Sequence, residues 1–388
     1  MLKKDKLTDL LISLLLFVPT IVNVNNTLYV VFLAMGLYLF IKESNAIKSQ
    51  AVFLLILSTF ITSIVFYVTF AVNNKYQDEV NGLSSFLPVP LSILACFFIS
   101  KSKYINKNVF RFVALYISAE VFVGVVEYAL GVSHFITPTG TNIDSTFGDG
   151  GLLYYSRVFG LSSNSSVLAL KCVSLILISY WAFDRKYTKV IFSIIGICGL
   201  YITLNRSGIF AVILFYLLMY FRSFKVKYLF VSLVSVAVIA TLIYLNFDSI
   251  FNQLNRGKDT LDISGRDEII KRYFDFFLEN PLLGNNYHVL RLLVLGRPYH
   301  SHNSFMHILA ETGFLYFMIL IWVIIKLINK HNYLFILPIM LYSMTQYGIF
   351  WGVSFLDIIF FYFLTQVNES NFPSDNKILI KSSANLKT

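Results

Sequence analysis

Long apolar runs alternate with short polar stretches along almost the whole chain. A membrane-crossing helix needs about 20 mostly apolar residues, within a range of about 17 to 25. The pattern predicts twelve such segments, near residues 8–23, 27–41, 51–72, 84–100, 109–130, 164–183, 188–203, 207–221, 227–245, 304–326, 333–348 and 351–366. No internal repeat relates them. The expected fold is an all-α polytopic membrane protein of about 12 transmembrane helices, one integral membrane domain over residues 1–388. Two connections are long, 131–163 and 246–303, and loops longer than about 12–15 residues are usually functional or disordered. Within the second, SGRDEIIKRYFDFFLENPLLG repeats apolar residues at helical spacing, at Ile269, Ile270, Tyr273, Phe274 and Phe277, before Pro281 and Gly284 stop the pattern. That predicts an amphipathic helix lying on the membrane surface ahead of the tenth span, either functional or a simple cap on the bundle.

Charge fixes the orientation. Only 13% of residues are charged, where a soluble domain carries about 25%. The net charge of +10 does not point to nucleic acid, because the basic residues are scattered through short loops between apolar runs. With the N-terminus in the cytoplasm, the cytoplasmic segments hold twenty of the 31 lysines and arginines and the outer segments ten, with Lys171 inside a span. Positively charged loops stay inside, so the alternation supports both the spans and cytoplasmic termini, including a tail over 367–388. The basic, apolar N-terminus lacks a small-residue cleavage site and reads as a retained first helix. Cys96, Cys172 and Cys198 all fall in apolar runs, so neither a disulfide nor a metal cluster is expected.

The outer cations are the ones that topology leaves unexplained. Arg206 sits in ITLNRSGIF between two apolar runs, Arg157 in YYSRVFGLSSNSS just before a span, and Arg266 at the start of the surface helix. Arg291 and Arg297 flank RPYHSHNSF, which holds His300 and His302. Guanidinium forks bind phosphate oxygens bidentately and stay charged in a partly dry site, so such a cluster suits a lipid-linked phosphate or pyrophosphate. The plain alternative for each is an arginine that snorkels to lipid headgroups. Glu120 and Glu127 lie seven residues apart on one helix face, and Lys171 enters the next span at a depth between theirs. They form either a structural Glu–Lys pair or an ion relay. The outer acids form no closely spaced aspartate pair, and no nucleotide loop or zinc helix is present, so no cofactor or metal is expected.

Four of these stretches resemble the O-antigen ligase and O-antigen polymerase superfamily. His302-Asn303, nine residues, Gly313, two residues and Tyr316 are similar to its His-Asn signature, with Tyr316 where many relatives have Gly. TLNRSGIF, SGRDEIIKRYFDFFLENPLLG and RVFGLSSNSSVLA are similar to its three arginine stretches. The resemblance covers roughly residues 150–330. It implies a GT-C type glycosyltransferase of the bacterial plasma membrane, acting in lipopolysaccharide or related polysaccharide biosynthesis. The implied donor is an undecaprenyl-pyrophosphate-linked oligosaccharide, met on the outer face. Arg206 and Arg266 would contact the pyrophosphate, with Arg157 and Arg297 beside them, and His302 would be the catalytic base. Asn303 would orient the glycan or hold the histidine, while His300, His307 and Glu311 would be structural. The expected activity is polymerisation of lipid-linked repeat units, without a metal, alongside a chain-length regulator and flippase. The alternatives are a ligase that transfers glycan to lipid A core and, in another class, a transporter.

Overall fold

The computed structural model describes residues 4–21, 26–43, 50–72, 88–132, 158–162, 164–203, 205–222, 266–284, 292–294, 297–346, 348–350 and 352–367. Among them are twelve α-helices: α1 (Lys4–Phe17), α2 (Asn26–Glu43), α3 (Gln50–Val72), α4 (Val89–Lys101), α5 (Lys107–Leu130), α6 (Ser165–Ala182), α7 (Lys186–Thr203), α8 (Arg206–Arg222), α9 (Arg266–Glu279), α10 (Ser304–Leu327), α11 (Tyr333–Thr345) and α12 (Phe355–Gln366). Helices stand at eleven of the twelve predicted segments, and the ninth, 227–245, lies outside the described residues. So do the residues after Val367, most of the first long loop and half of the second. Five helices, α3, α5, α6, α7 and α10, are long and apolar enough to cross a membrane. The predicted surface helix is α9, and it begins at Arg266. One element departs from the all-α expectation. Leu292–Val294 (β1) and Arg297–Tyr299 (β2) pair as a short antiparallel ladder just before His302.

The helix starts follow from local chemistry. An Asn or Ser side chain accepts the first free backbone N–H groups, which otherwise lack partners. Asn106 does this for α5, Asn164 for α6, Asn205 for α8, Asn303 for α10 and Ser354 for α12. Small residues then let helices approach closely, as is usual in membrane bundles. A Cβ at Gly199 of α7 would fall 2.3 Å from the Cys172 sulfur of α6, so only glycine fits there. The core between α5, α6, α11 and α12 is aromatic: Phe110, Trp181, Tyr362, Phe335 and Phe363 meet at centroid distances of 4.6 to 6.4 Å.

The charged residues inside the bundle are paired. Lys171 Nζ lies 2.8 and 3.0 Å from the two Glu120 carboxylate oxygens, and both side chains are fully buried. Ser162 Oγ also donates to Glu120, and Gly160 N donates to Glu127 Oε2 at 2.8 Å. The two glutamates of α5 thus hold down residues 160–162, the segment just after Arg157. Of the two glutamates Lys171 pairs with Glu120, and it also donates to the Thr20 carbonyl at 3.3 Å, while Glu127 accepts from the Gly160 backbone.

The two ends of the bundle differ. At one end lie the amino terminus of α5, the carboxyl terminus of α6 and the start of α7. Lys107 stacks 5.1 Å from the Trp181 ring, and Arg111 donates to the Ala182 carbonyl at 2.8 Å. Arg222, Lys326 and His331 lie at the corresponding ends of α8, α10 and the α10–α11 turn. These are loops assigned to the cytoplasm by charge. The opposite end carries His302, Arg206 and Arg266.

Candidate active site

Four helix amino termini converge at that second end, on the last turn of α11. Tyr342 OH donates to the Ser166 carbonyl of α6 at 2.6 Å. Asn205, the cap of α8, reaches Ser166 Oγ at 3.4 Å. The Ser304 hydroxyl, first residue of α10, accepts from Gly348 N at 3.0 Å and Ile349 N at 3.1 Å. Asp357, in the first turn of α12, accepts from Phe350 N at 2.6 Å. Helix amino termini carry positive partial charge, which favours an anion. Arg206 is the first residue of α8 and adds a full charge to the same place.

Arg266 comes from outside the bundle. Its Nη1 donates to the Thr345 carbonyl at 3.0 Å, one of the carbonyls that the end of α11 leaves without a helical partner. The helix it begins is strongly amphipathic: Ile269, Tyr273 and Phe276 are buried, while Ile270, Phe274 and Leu278 are exposed on another side. Tyr273 OH donates to the Tyr299 carbonyl of β2, and its ring lies 5.8 Å from that of His307. The short ladder, missed by sequence reading, is therefore what α9 leans on. Three-residue strands are too brief for an alternating pattern to reveal.

Two glycines clamp the far end of α9. α10 is broken at Gly313, whose φ of 74° and ψ of 175° are not helical. The break frees two N–H groups: Phe314 N donates to the Pro281 carbonyl at 2.8 Å and Leu315 N to the Leu282 carbonyl at 3.3 Å. Gly284 packs into the gap with φ 75°. A Cβ on Gly313 would lie 2.3 Å from Gly284 N, and one on Gly284 would lie 2.4 Å from Gly313 N. The NPLLG stretch and Gly313 are two halves of one joint. Two residues before the break, Glu311 Oε1 lies 2.8 Å from His307 Nε2, and both residues are buried. The pair joins successive turns of α10.

His302 stands in a left-handed backbone conformation, φ 50°. Non-glycine residues adopt it at a cost, and it persists only where neighbours fix it. Here Ser301 Oγ donates to the Asn303 carbonyl at 2.6 Å and accepts from Asn303 N at 3.2 Å, bracketing the histidine. Asn303 Oδ1 accepts from Phe305 N and Met306 N, both at 3.0 Å. Asn303 thus caps α10, and its carbonyl oxygen is occupied with that task. The His302 side chain neighbours Gln346, the residue that follows α11. Burial first, and the Arg266 guanidinium second, push its imidazole down to about 4. At neutral pH the ring is uncharged and able to take a proton.

The structure thus brings Arg206, Arg266, His302 and Asn303 to one end of the bundle. Arg157 and Arg291 lie outside the described residues. Arg297 lies in β2, two residues before Tyr299, with only its backbone described. Among the described residues no group of three His, Cys, Asp or Glu side chains is arranged to hold a metal ion. Sequence reading missed Tyr342 and Thr345. They look like ordinary span residues, and only the meeting of α6, α9, α10 and α11 gives them a role.

A family model described as O-antigen ligase matches residues 191–321, from α7 through the broken part of α10. That stretch of the chain is similar to the O-antigen ligase family, in line with the resemblance of its arginine and His-Asn motifs. Among curated proteins no relative matches. The matched region contains Arg206, Arg266, His302 and both halves of the glycine joint.

Proposed function

We propose that the protein is a polysaccharide polymerase. It transfers an undecaprenyl-pyrophosphate-linked glycan onto a hydroxyl of a second lipid-linked repeat unit, on the outer face of the bacterial plasma membrane. The observation that carries this reading is the meeting of two arginine-bearing helix starts with a neutral, partly buried histidine at the end of α11. The acceptor O–H gives its proton to His302, and its oxygen bonds to the anomeric carbon of the donor sugar. The bond from that carbon to the phosphate oxygen breaks, and its electron pair leaves on the pyrophosphate. Arg206 and Arg266, with Arg157 and Arg297, stabilise that charge where it develops, which is commonly the largest catalytic effect. A positioned base adds about 100- to 10,000-fold. Asn303 holds the histidine through the cap rather than touching glycan. The fold is of GT-C type, with twelve spans and cytoplasmic termini, and the basic end of the bundle supports that sidedness.

The ligase reading is the alternative, supported by the match of residues 191–321 to an O-antigen ligase family model. Purified protein in nanodiscs, given lipid-linked repeat units alone, distinguishes the two. A ladder of lengths supports the polymerase. Transfer only when lipid A core is supplied supports the ligase. Four arginines can neutralise pyrophosphate without a divalent ion, so metal-stripped protein in EDTA is expected to keep its rate. Activity lost in chelator and restored by Mg²⁺ would overturn the arginine mechanism.

A further inference from the structure

We infer that Tyr342 is a positioning residue that sets the spacing between Arg206 and Arg266, so that the two guanidiniums grip both phosphates of one pyrophosphate. The inference rests on the donor reading above and names what holds the two cations at a common distance. They begin two different helices, α8 and α9, so nothing in the local chain fixes how far apart they stand.

A hydrogen-bonded path joins them, and Tyr342 is its middle link. On the α9 side, Arg266 Nη1 donates to the Thr345 carbonyl at 3.0 Å, and the Thr345 hydroxyl donates to the Tyr342 carbonyl at 3.1 Å. Gln346 N–H donates to the same Tyr342 carbonyl at 2.9 Å, so the backbone that receives Arg266 is folded back on Tyr342. On the α8 side, the Tyr342 hydroxyl donates to the Ser166 carbonyl at 2.6 Å, and the Asn205 amide donates to Ser166 Oγ at 3.4 Å. Asn205 Oδ1 accepts from Gly208 N at 2.9 Å and its carbonyl from Ile209 N at 3.2 Å. These bonds fix the first turn of α8, where Arg206 sits.

The path has little slack. Tyr342 and Asn205 are both buried. A Cβ on Gly348 would lie 2.9 Å from Cδ1 of the tyrosine ring, and one on Gly208 would lie 2.5 Å from Leu200 Cδ2. A tyrosine spans from α11 to α6 with a rigid ring, and being neutral it does not compete with phosphate for the arginines. Spacing matters because a pyrophosphate offers two phosphates at a fixed separation. Once one arginine holds one phosphate, the second contact is intramolecular, and its gain depends on geometry that allows both at once. A single phosphate needs only one guanidinium fork. Loosening the spacing therefore acts on a pyrophosphate and not on a monophosphate.

The test measures binding of undecaprenyl pyrophosphate and of undecaprenyl phosphate to the full-length protein in nanodiscs. Wild type is compared with Tyr342→Phe, Ser166→Ala and the double variant. Phenylalanine keeps the ring, and the Ser166 carbonyl lies within α6, where the helix supplies its own donor, so folding is protected. Wild type is expected to bind the pyrophosphate more tightly. Tyr342→Phe should narrow that preference about 2- to 10-fold, the worth of one hydrogen bond, with affinity for the monophosphate little changed. Ser166→Ala breaks the next link of the same path, so the double variant should be no worse than the weaker single. A full preference retained in Tyr342→Phe, equal weakening toward both lipids, or additive losses in the double variant would overturn the role of Tyr342. A wild type that does not distinguish the two lipids would instead overturn the pyrophosphate reading itself.

Discussion

At the scale of single residues, the site depends on a charge balance between His302 and Arg266. In the free protein the imidazole is pushed down to about 4 by burial and by the guanidinium. A bound pyrophosphate offsets that guanidinium and makes the histidine a stronger base. The acid limb of kcat/KM, which reports the free protein, is therefore expected near pH 4, and the acid limb of kcat higher. A pH profile of both constants checks this, and coincident limbs would argue against the coupling. The same shift has a stability cost. As pH falls from 6.5 toward 4 the unfolded chain takes up a proton that folded His302 does not, so stability declines across that window and not further below it. Arg206 offers a second contrast. If it grips phosphate with two parallel hydrogen bonds, Arg206→Lys should lose activity nearly as badly as Arg206→Ala, because lysine is a point charge on a flexible stem. Initial rates of the two variants decide, and a fully active lysine variant would reduce the role to simple charge.

At the scale of elements, the glycine joint ties α9 to α10 and so holds Arg266 in reach of Thr345. Gly313→Ala must place a side chain where the backbone of Gly284 already lies, in a conformation that costs about 1–3 kcal/mol for residues other than glycine. Lower thermal stability is expected, together with a loss of polymerisation greater than the loss of folded protein, as α9 shifts. Differential scanning fluorimetry and product ladders from the same preparation would separate the two effects. Much of the element plan was legible beforehand. Apolar length located helices at eleven of the described segments, and the Ile269–Tyr273 spacing located α9. That NPLLG and Gly313 form one joint was not legible. Their spacing is fixed by backbone hydrogen bonds between residues 33 apart, from Phe314 to Pro281, which leave no local pattern. His302, Arg206 and Arg266 could be nominated because charge at an outer helix mouth violates a simple rule. Tyr342 and Thr345 could not, since they act through position alone.

At the scale of the whole molecule, the Glu120–Lys171 pair joins the α5–α6 contact to residues 160–162. Removing one partner strands a buried charge, which typically costs about 3–5 kcal/mol, whereas replacing both with apolar groups is often neutral. Lys171→Met should therefore lower the yield of folded protein sharply, and Glu120→Leu combined with Lys171→Met should recover much of it, as measured by monodisperse protein after extraction. A double variant no better than Lys171→Met alone would show that the pair does more than cancel charge. The pair also bears on how the chain enters the bilayer during synthesis. A lysine at the centre of a transmembrane helix raises its insertion free energy by about 2.5–3.5 kcal/mol. α5 emerges first carrying Glu120, and α6 follows carrying Lys171. Entering one at a time, each exposes its charge to hydrocarbon; leaving the translocon together, they enter as a neutral unit. Insertion of α5 and α6 as one hairpin is therefore energetically favoured over insertion one at a time.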